Sequence, residues 1–573
     1  MYLQFNNKKG KNGKIYSSVL LCEKYWENGA AKTRVVLNLT KLKLPNEVIT
    51  GFKTALNKTK GKLIDSEDIK ISFSTDFGYA FTILSLMKRL RIDETLEKTY
   101  RGKVNIIKLM IIGKIITRGS KLQIFNWIKR NDLMAKILSI NTKTLKVDDL
   151  YFELGELSKF QDTVERKWNL YHKQKTNNIY LYDITSSYFE GTQNELAAFG
   201  YNRDKKKGKM QITIGLITNN EGFPLKIQVF EGNTNDHKTV NEQILSIKKS
   251  FGAKNMILIG DRGMRIRLNL EELTEEEKQG VSYISALSSS EMRALLKDKV
   301  IQLSLFAKEL SEVEDNGIRY ILSKNPILEQ QKKELRENLK QRFEDNILEI
   351  KRAWQKRRDQ NLENQEKLKN GHKNKKLVIG FSNKKLDNYK FRASELIKRY
   401  KMTKFYQVEI TDEKFAITFL LEEYQQARLL NGKYIIETTV KKEQMEKKEV
   451  RNKYKELQNV EHAFRDLKVD KLNIRPIFHR NAEQTRGHVF ISMFSYAIIK
   501  EIETAVYPWL KEYNKANNRK LAYKDIVSEL NNIKLSELEI GYKMKKLIIP
   551  QLTPIQQEIF RILNVKTEDM MKI

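Results

Sequence analysis

The sequence is short of several residue types, and each shortage excludes something. One cysteine, Cys22, in 573 residues rules out a disulfide framework and any cysteine-rich zinc site. Seven prolines and 26 glycines exclude a collagen-like or linker-dominated chain. The longest apolar runs, such as Leu109 to Ile116, are interrupted by Lys114 and fall far below the ~20 residues of a membrane helix. No apolar stretch follows a basic start, so no secretory leader is expected. Acidic residues are outnumbered 72 to 106 by lysine and arginine, a net charge of +34. These shortages predict a soluble cytoplasmic protein with no membrane partner.

What the chain does have is core and positive charge. Hydrophobic residues make up 40% and aromatics 9%, enough for several packed domains of ~150 residues each. A surplus of +34 attracts polyanions, of which nucleic acid is the commonest. AT-rich codons also enrich Lys, Asn and Ile, so charge alone does not decide the partner.

Patterning divides the chain into six stretches. Residues 1–60 form an N-terminal β unit, with β-prone runs Ile15 to Leu21 and Arg34 to Leu39 about the turn Glu27-Asn28-Gly29. Residues 61–175 are expected to be helical, with Ile106, Leu109, Met110, Ile112 and Ile116 at helical spacing, and are the candidate DNA-binding stretch. In 176–289 strands are expected at Asn178 to Thr185, Met210 to Thr218, Pro224 to Phe230, Met256 to Gly260 and Val281 to Leu287. Helices are expected there at Val240 to Phe251 and Leu268 to Gln279. Residues 290–445 interrupt this α/β pattern with a long charged helix through Leu335, Leu339, Phe343, Ile347, Ile350 and Trp354, and strand-like runs at Phe405 to Ile410, Phe415 to Leu421 and Tyr434 to Thr439. Within it, Lys351 to Lys376 holds ten basic and three acidic residues, read as a solvated helix face and linker or as a DNA-contacting arm. Residues 446–500 and 501–573 read as helical to the end.

Three acidic residues stand out. Asp183 lies inside Leu181-Tyr182-Asp183-Ile184-Thr185, where a buried carboxylate needs a partner such as a metal ion. A strand-end turn would also accept it. Asp261 follows the all-apolar run Met256 to Ile259 and Gly260, at the carboxyl end of a central strand, where open α/β sheets place ligands. Glu461 lies on an amphipathic segment. Leu457, Val460, Phe464 and Leu467 make its apolar stripe, while Tyr454, Glu461 and Lys468, seven apart, drift only about 20° per step, with Arg465 on the same side. An ordinary surface helix satisfies the same periodicity. His237 and His462 are weaker candidates for general bases, since His462 sits ~100° round the helix from Glu461 and His237 suits a local bond after Asn235-Asp236.

In this order (strand Asp, strand-end Asp, helix Glu) the sequence resembles the DDE transposases and integrases. The segment from Tyr454 to Lys468 is similar to the Tyr-x2-Arg-x3-Glu-x6-Lys signature of one group of bacterial insertion-sequence transposases; Leu457 departs from its Arg. The blocks Gly200-Tyr201-Asn202-Arg203-Asp204, Phe230 to Asp236, Asp261-Arg262-Gly263-Met264, Ile474-Arg475-Pro476-Ile477 and Gly487-His488 match as well. The resemblance implies an α/β, ribonuclease-H-like mixed sheet with a large α+β insertion between the last core strand and the Glu-bearing helix, plus the N-terminal β unit and helical region. It implies Asp183, Asp261 and Glu461 as catalytic residues and metal ligands, for two Mg2+ (or Mn2+) ions. It implies DNA contacts from Tyr454, Lys468, Arg465, Arg203, Arg262 and Arg475. The partners it implies are double-stranded DNA, as element ends and target, and a second copy in a homodimeric synaptic complex, all at a bacterial nucleoid. Rival readings are a nuclease with the same triad but no strand transfer, a transposase-derived DNA-binding protein with an inactive site, and a structural protein using the basic helix.

Overall fold

The computed structural model describes residues 1–56, 69–172, 177–204, 206–370, 383–540 and 544–570. It divides into two compact units, Met1–Ser85 with Ile502–Ile573, and Leu86–Glu501. Residues 57–60 of the expected β unit, 61–68 and 173–175 of the expected helical region, and 371–376 of the basic run lie outside the described residues.

In the first unit, strands Tyr2–Lys9, Ile15–Glu27 and Ala30–Asn38 form an antiparallel meander. Its second turn is Asn28-Gly29, both at positive φ (49° and 76°), as a two-residue hairpin requires. A second sheet pairs Ile69–Asp76 with Lys534–Ile540, which in turn pairs with Met544–Ile548. These strands correct the expectation that residues 501–573 are helical throughout. The partner Ile69–Asp76 lies more than 450 residues away in the chain, and a bulge between Glu537 and Leu538 breaks the alternation that would mark a strand locally.

The second unit is built on an eight-stranded mixed sheet, whose strands are numbered here in chain order: β1 (Ile179–Tyr188), β2 (Gln211–Thr218), β3 (Pro224–Glu231), β4 (Met256–Gly260), β5 (Val281–Ala286), β6 (Leu310–Asp315), β7 (Ile318–Lys324) and β8 (Lys433–Thr438). Their spatial order is β6-β7-β8-β5-β4-β1-β2-β3. β1, β2 and β3 run antiparallel; β4 is parallel to β1 and β5 to β4. The buried run of β4 thus sits near the middle of the sheet, and β1 lies between β4 and β2. Helix Val240–Phe251 links β3 to β4 with the expected bounds. The expected helix Leu268 to Gln279 is split into Ile266–Glu272 and Glu275–Lys278, because Thr274 caps a new start.

The sheet does not stop at Leu287. β8 pairs antiparallel with β5, Ile436 opposite Ala286, and β7 and β6 extend it further. The strand expected at Tyr434 to Thr439 therefore belongs to the main sheet rather than to an insertion. It covers an edge of β5 that would otherwise present unpaired N–H and C=O groups. The chain that does leave the sheet departs at Lys324 and returns at Lys433. It comprises helix Pro326–Lys369, helix Asn383–Arg399, a hairpin of Tyr406–Ile410 with Phe415–Phe419, and helix Leu421–Leu429. Phe343, Ile347, Ile350 and Trp354 of the long helix pack with Met402, Tyr406, Ile410 and Phe415 in a core of their own.

Helices Ile92–Thr99, Val104–Thr117, Lys121–Lys129, Asp132–Ile137, Val147–Lys159 and Gln161–His172 precede the sheet. Helix Ala482–Asn517 follows it, and every residue from Val489 to Ile499 is buried. At Gly487 this helix meets helix Val147–Lys159 closely: a Cβ there would stand 2.0 Å from the Leu154 carbonyl oxygen. Among the described residues no helix is long and apolar enough to cross a membrane.

Candidate active site

Asp183 occupies the one partly open position in the first seven residues of β1, between neighbours that are buried on both sides. Its Oδ1 accepts the Ile184 N–H at 2.8 Å. Burial, then the charge of Asp261, with a further contribution from Glu461, push its carboxyl up to about 7. Asp261 directly follows β4 and caps the turn Arg262–Met264, its Oδ1 accepting the Gly263 N–H at 2.9 Å. Burial raises its pKa, and nearby Asp236 adds to that. Glu461 is exposed on helix Gln458–Arg465, whose Val460, Ala463 and Phe464 are buried. Asn459 anchors that helix to the β2–β3 turn by donating to the Asn220 carbonyl at 2.7 Å.

Asp183, Asp261 and Glu461 therefore share one electrostatic neighbourhood. Tyr454 joins it: burial, then Asp261, with Glu461 contributing, push its hydroxyl up to about 12, while Arg262 opposes. Among the described residues no three His, Cys, Asp or Glu side chains stand as a ready group around a metal ion. The donor chemistry nonetheless fits a hard divalent cation, since the set is all carboxylate, and burial first, then the charge of Asp261, hold Asp183 toward the protonated form.

The segment carrying Glu461 is not one even helix. Helix Lys447–Lys455 ends, Gln458–Arg465 begins anew, and Asp466–Asp470 winds as a π-helix. The even 20° drift from Tyr454 to Lys468 is lost at both joints, which corrects the expected single stripe. Lys468 turns inward and is buried. Its Nζ donates to Thr185 Oγ1 and to Asp204 Oδ1, both at 2.8 Å. Burial lowers its pKa, and Asp204 opposes the shift.

The other basic residues divide in the same way. Arg475 hydrogen-bonds Asp204, whose Oδ2 accepts the Tyr188 N–H. Arg203 Nη2 grips both oxygens of Asp236 at 2.7 and 2.6 Å, and its backbone N–H reaches Ser186 Oγ. Arg262 and Arg465 are exposed. Sequence reasoning gives no role to Asp204, Asp236 or Thr185, though the two aspartates lie in blocks that carry the resemblance and Thr185 in the strand of Asp183. Their signal is an acidic or hydroxyl residue in the same block as a basic one or a candidate ligand. Gly263 makes room between two of the carboxylates: a Cβ there would stand 3.1 Å from Asp261 Oδ1 and 3.4 Å from Asp236 Oδ2.

Asp183 thus lies in a strand, Asp261 just past the end of the neighbouring strand and Glu461 on a later helix. Residues 174–498 match the family model of the transposase DDE domain, and the chain belongs to that family. It is thus a DDE-type transposase. Comparison with curated proteins gives no match. Among solved structures, the chain is similar to a cryo-EM structure of the piggyBac transposase synaptic complex with hairpin DNA, at 9% identity over 84% of this chain and 74% of that one, with a TM-score of 0.31. It is also similar to the Mos1 transposase paired-end complex with the left transposon end, at 11% identity over 29% and 58%, with a TM-score of 0.13. Neither likeness assigns a role to any residue.

Proposed function

We propose that this protein cuts DNA at the terminal inverted repeats of an insertion sequence and joins the freed 3′-OH ends to target DNA, as a member of the Tyr-Arg-Glu-Lys signature group of bacterial transposases. What supports the reading is that the charges of Asp261 and Glu461 both raise the carboxyl of Asp183, from an adjacent strand end and a helix. The strand order β3-β2-β1-β4-β5, with one antiparallel half and one parallel half, supports a ribonuclease-H-like core.

The three carboxylates would hold two Mg2+ (or Mn2+) ions, which when bound activate an attacking oxygen and stabilise a leaving one. The chain's own residues set the geometry. The Gly263 N–H fixes the Asp261 carboxylate, and the Ile184 N–H fixes that of Asp183. Arg203 holds Asp236 beside Asp261, and Lys468 ties the Glu461 segment to the strand of Asp183. Tyr454, Arg262 and Arg465 are left to meet phosphates, whereas Lys468, Arg203 and Arg475 act through carboxylates. Such contacts position duplex DNA without reading it. Two copies would pair two element ends in a synaptic complex.

The test is strand cleavage and joining with end-containing duplex, by wild type and by Asp183→Asn, Asp261→Asn and Glu461→Gln. Each variant removes a charge and keeps the shape. Cleavage is expected to vanish while DNA binding, spread over many basic contacts, persists and falls with salt. Cutting by the variant that combines all three changes would overturn the site; cuts without joined products from wild type would favour the nuclease reading.

A further inference from the structure

A second basic feature lies away from the carboxylates. A cavity of about 840 Å3 opens between the end of helix Val104–Thr117, the start of helix Lys121–Lys129 and the segment Asn473 to Arg480. Lys114 and Lys121 line it, and each is only 2% exposed. Lys114 Nζ reaches the carbonyl oxygens of Gly119 and Asn473 at 3.3 Å, and Lys121 Nζ stands 3.2 Å from His488 Nδ1.

Among the described residues, the other two buried lysines behave differently. Lys226 pairs with Glu165 at 2.9 Å and Lys468 with Asp204 at 2.8 Å. A buried ammonium is strongly disfavoured unless an anion faces it. Among the described residues Lys114 and Lys121 have no carboxylate partner, and both face a cavity. Burial pushes Lys114 down to about 8 and Lys121 lower than usual as well, with Lys114 itself adding to the effect on Lys121. When protonated, the two ammonium groups oppose each other's charge in a place that a bound anion would neutralise.

The lining also says what kind of anion fits. Arg118 and Arg480 are exposed at the cavity, and among its described lining residues the acid is Asp148, itself exposed. Ser120 caps helix Lys121–Lys129 there, so the positive end of that helix faces the same space. Phe478 lines the cavity while 66% exposed, a flat apolar side chain beside a cluster of cations. The space is far larger than a lone phosphate needs. Cations for phosphates with an aromatic face for a base or sugar is the chemistry of a nucleic-acid strand.

We propose that this cavity binds a DNA strand, with its phosphates on the exposed Arg118 and Arg480 over the buried charges of Lys114 and Lys121 and its sugar or base against Phe478. The proposal rests on the reading of the chain as a DNA-processing enzyme, but not on the carboxylate site. Arg475 lines the cavity and also binds Asp204, so a strand seated here lies one side chain from the framework that holds Lys468.

The experiment is binding of the full chain to a labelled mixed-sequence duplex with a single-stranded overhang, measured by anisotropy from low to high salt. Lys114→Met, Lys121→Met and the exposed Arg480→Ala are compared with wild type and with Lys447→Ala. The cavity variants are expected to lower the salt slope of log K by about 0.9 for each phosphate no longer neutralised, and Lys447→Ala to leave it unchanged. Thermal melting checks that the lysine variants fold, and Arg480→Ala keeps the test valid if they do not. Wild-type slopes in all three cavity variants would overturn the proposal. So would stabilisation of wild type by pyrophosphate, abolished in the Lys121→Met variant, with DNA slopes unchanged: the ligand would then be a free phosphate compound. Reduced slopes together with a wild type that never cleaves DNA would sustain this site and overturn the proposed reaction instead.

Discussion

Lys468 Nζ stands 2.8 Å from Asp204 Oδ1, with the aspartate side chain 2% and the lysine side chain 10% exposed. The same ammonium donates to Thr185 Oγ1, two residues beyond Asp183 on β1. It therefore ties the segment that carries Glu461 to the strand that carries Asp183. Removing the lysine leaves Asp204 with Arg475 as its cation, so the cost falls below the about 3–5 kcal/mol of a buried charge left with no partner.

Lys468→Ala should accordingly slow cleavage of a pre-bound end substrate far more than it weakens DNA affinity. A misplacement of ~1 Å at a reacting centre costs ~100-fold in rate. Lys447→Ala, at an exposed position of its helix, serves as the control. Equal cleavage rates for the two variants would remove Lys468 from the positioning framework.

Gly487→Ala should destabilise the second unit by roughly 1–3 kcal/mol, because the new methyl would meet the Leu154 carbonyl at 2.0 Å and the helices must separate. The check is a denaturant midpoint, with Gly13→Ala as a comparison in which nothing lies within 4 Å of the new Cβ and only the positive φ of 76° is strained. An unchanged midpoint for Gly487→Ala would contradict the close packing.

Glu437, buried on β8 and 3.8 Å from Arg267, is pushed up to about 7, burial being the main cause. Its folded pKa lies above the unfolded value, so the folded state binds more protons between about 4.5 and 7, and stability from this group falls as pH rises through that window. Glu437→Gln should therefore gain on wild type across that window, by up to about 3 kcal/mol. Melting temperatures of both proteins across the range decide it; a constant difference would refute the shift.

Lys114 works with the opposite sign of charge. Its folded pKa, about 8, lies below the ordinary 10.5, so the unfolded chain binds more protons between these values and stability rises with pH across them. The rise should be absent in the Lys114→Met variant. Chemical denaturation of both proteins at the two ends of that window, at constant ionic strength, measures it. The same pH dependence in both would show that Lys114 keeps its charge when buried.

Much of the central fold is written in local pattern. The all-apolar Met256 to Ile259 announces a strand in the middle of a sheet, and Val240–Phe251 has a helical stripe with Gly252 at positive φ to end it. The placement of Asp183 in a strand, Asp261 at a strand end and Glu461 on a helix is legible for the same reason. Pairing over long separations is not. Nothing near Lys433–Thr438 specifies β5 as its neighbour, and nothing near Lys534–Ile540 specifies Ile69–Asp76. Helical phase fails where winding changes, at Glu456-Leu457 and over Asp466–Asp470, and so the inward turn of Lys468 escapes the seven-residue count. The bond from Lys468 to Asp204 joins two segments that no spacing rule connects.

The departure at Lys324 and return at Lys433 carry an evolutionary consequence. The two lysines are cross-strand partners, and the Asn325 N–H donates to the Gly432 carbonyl at 2.8 Å. Everything from Asn325 to Gly432 is thus, topologically, the loop of a hairpin, with its own apolar centre. Such a cassette can change in length without shifting the register of β7 against β8. Its sequence is free to diversify under separate selection while the strands that bear Asp183 and Asp261 stay where they are.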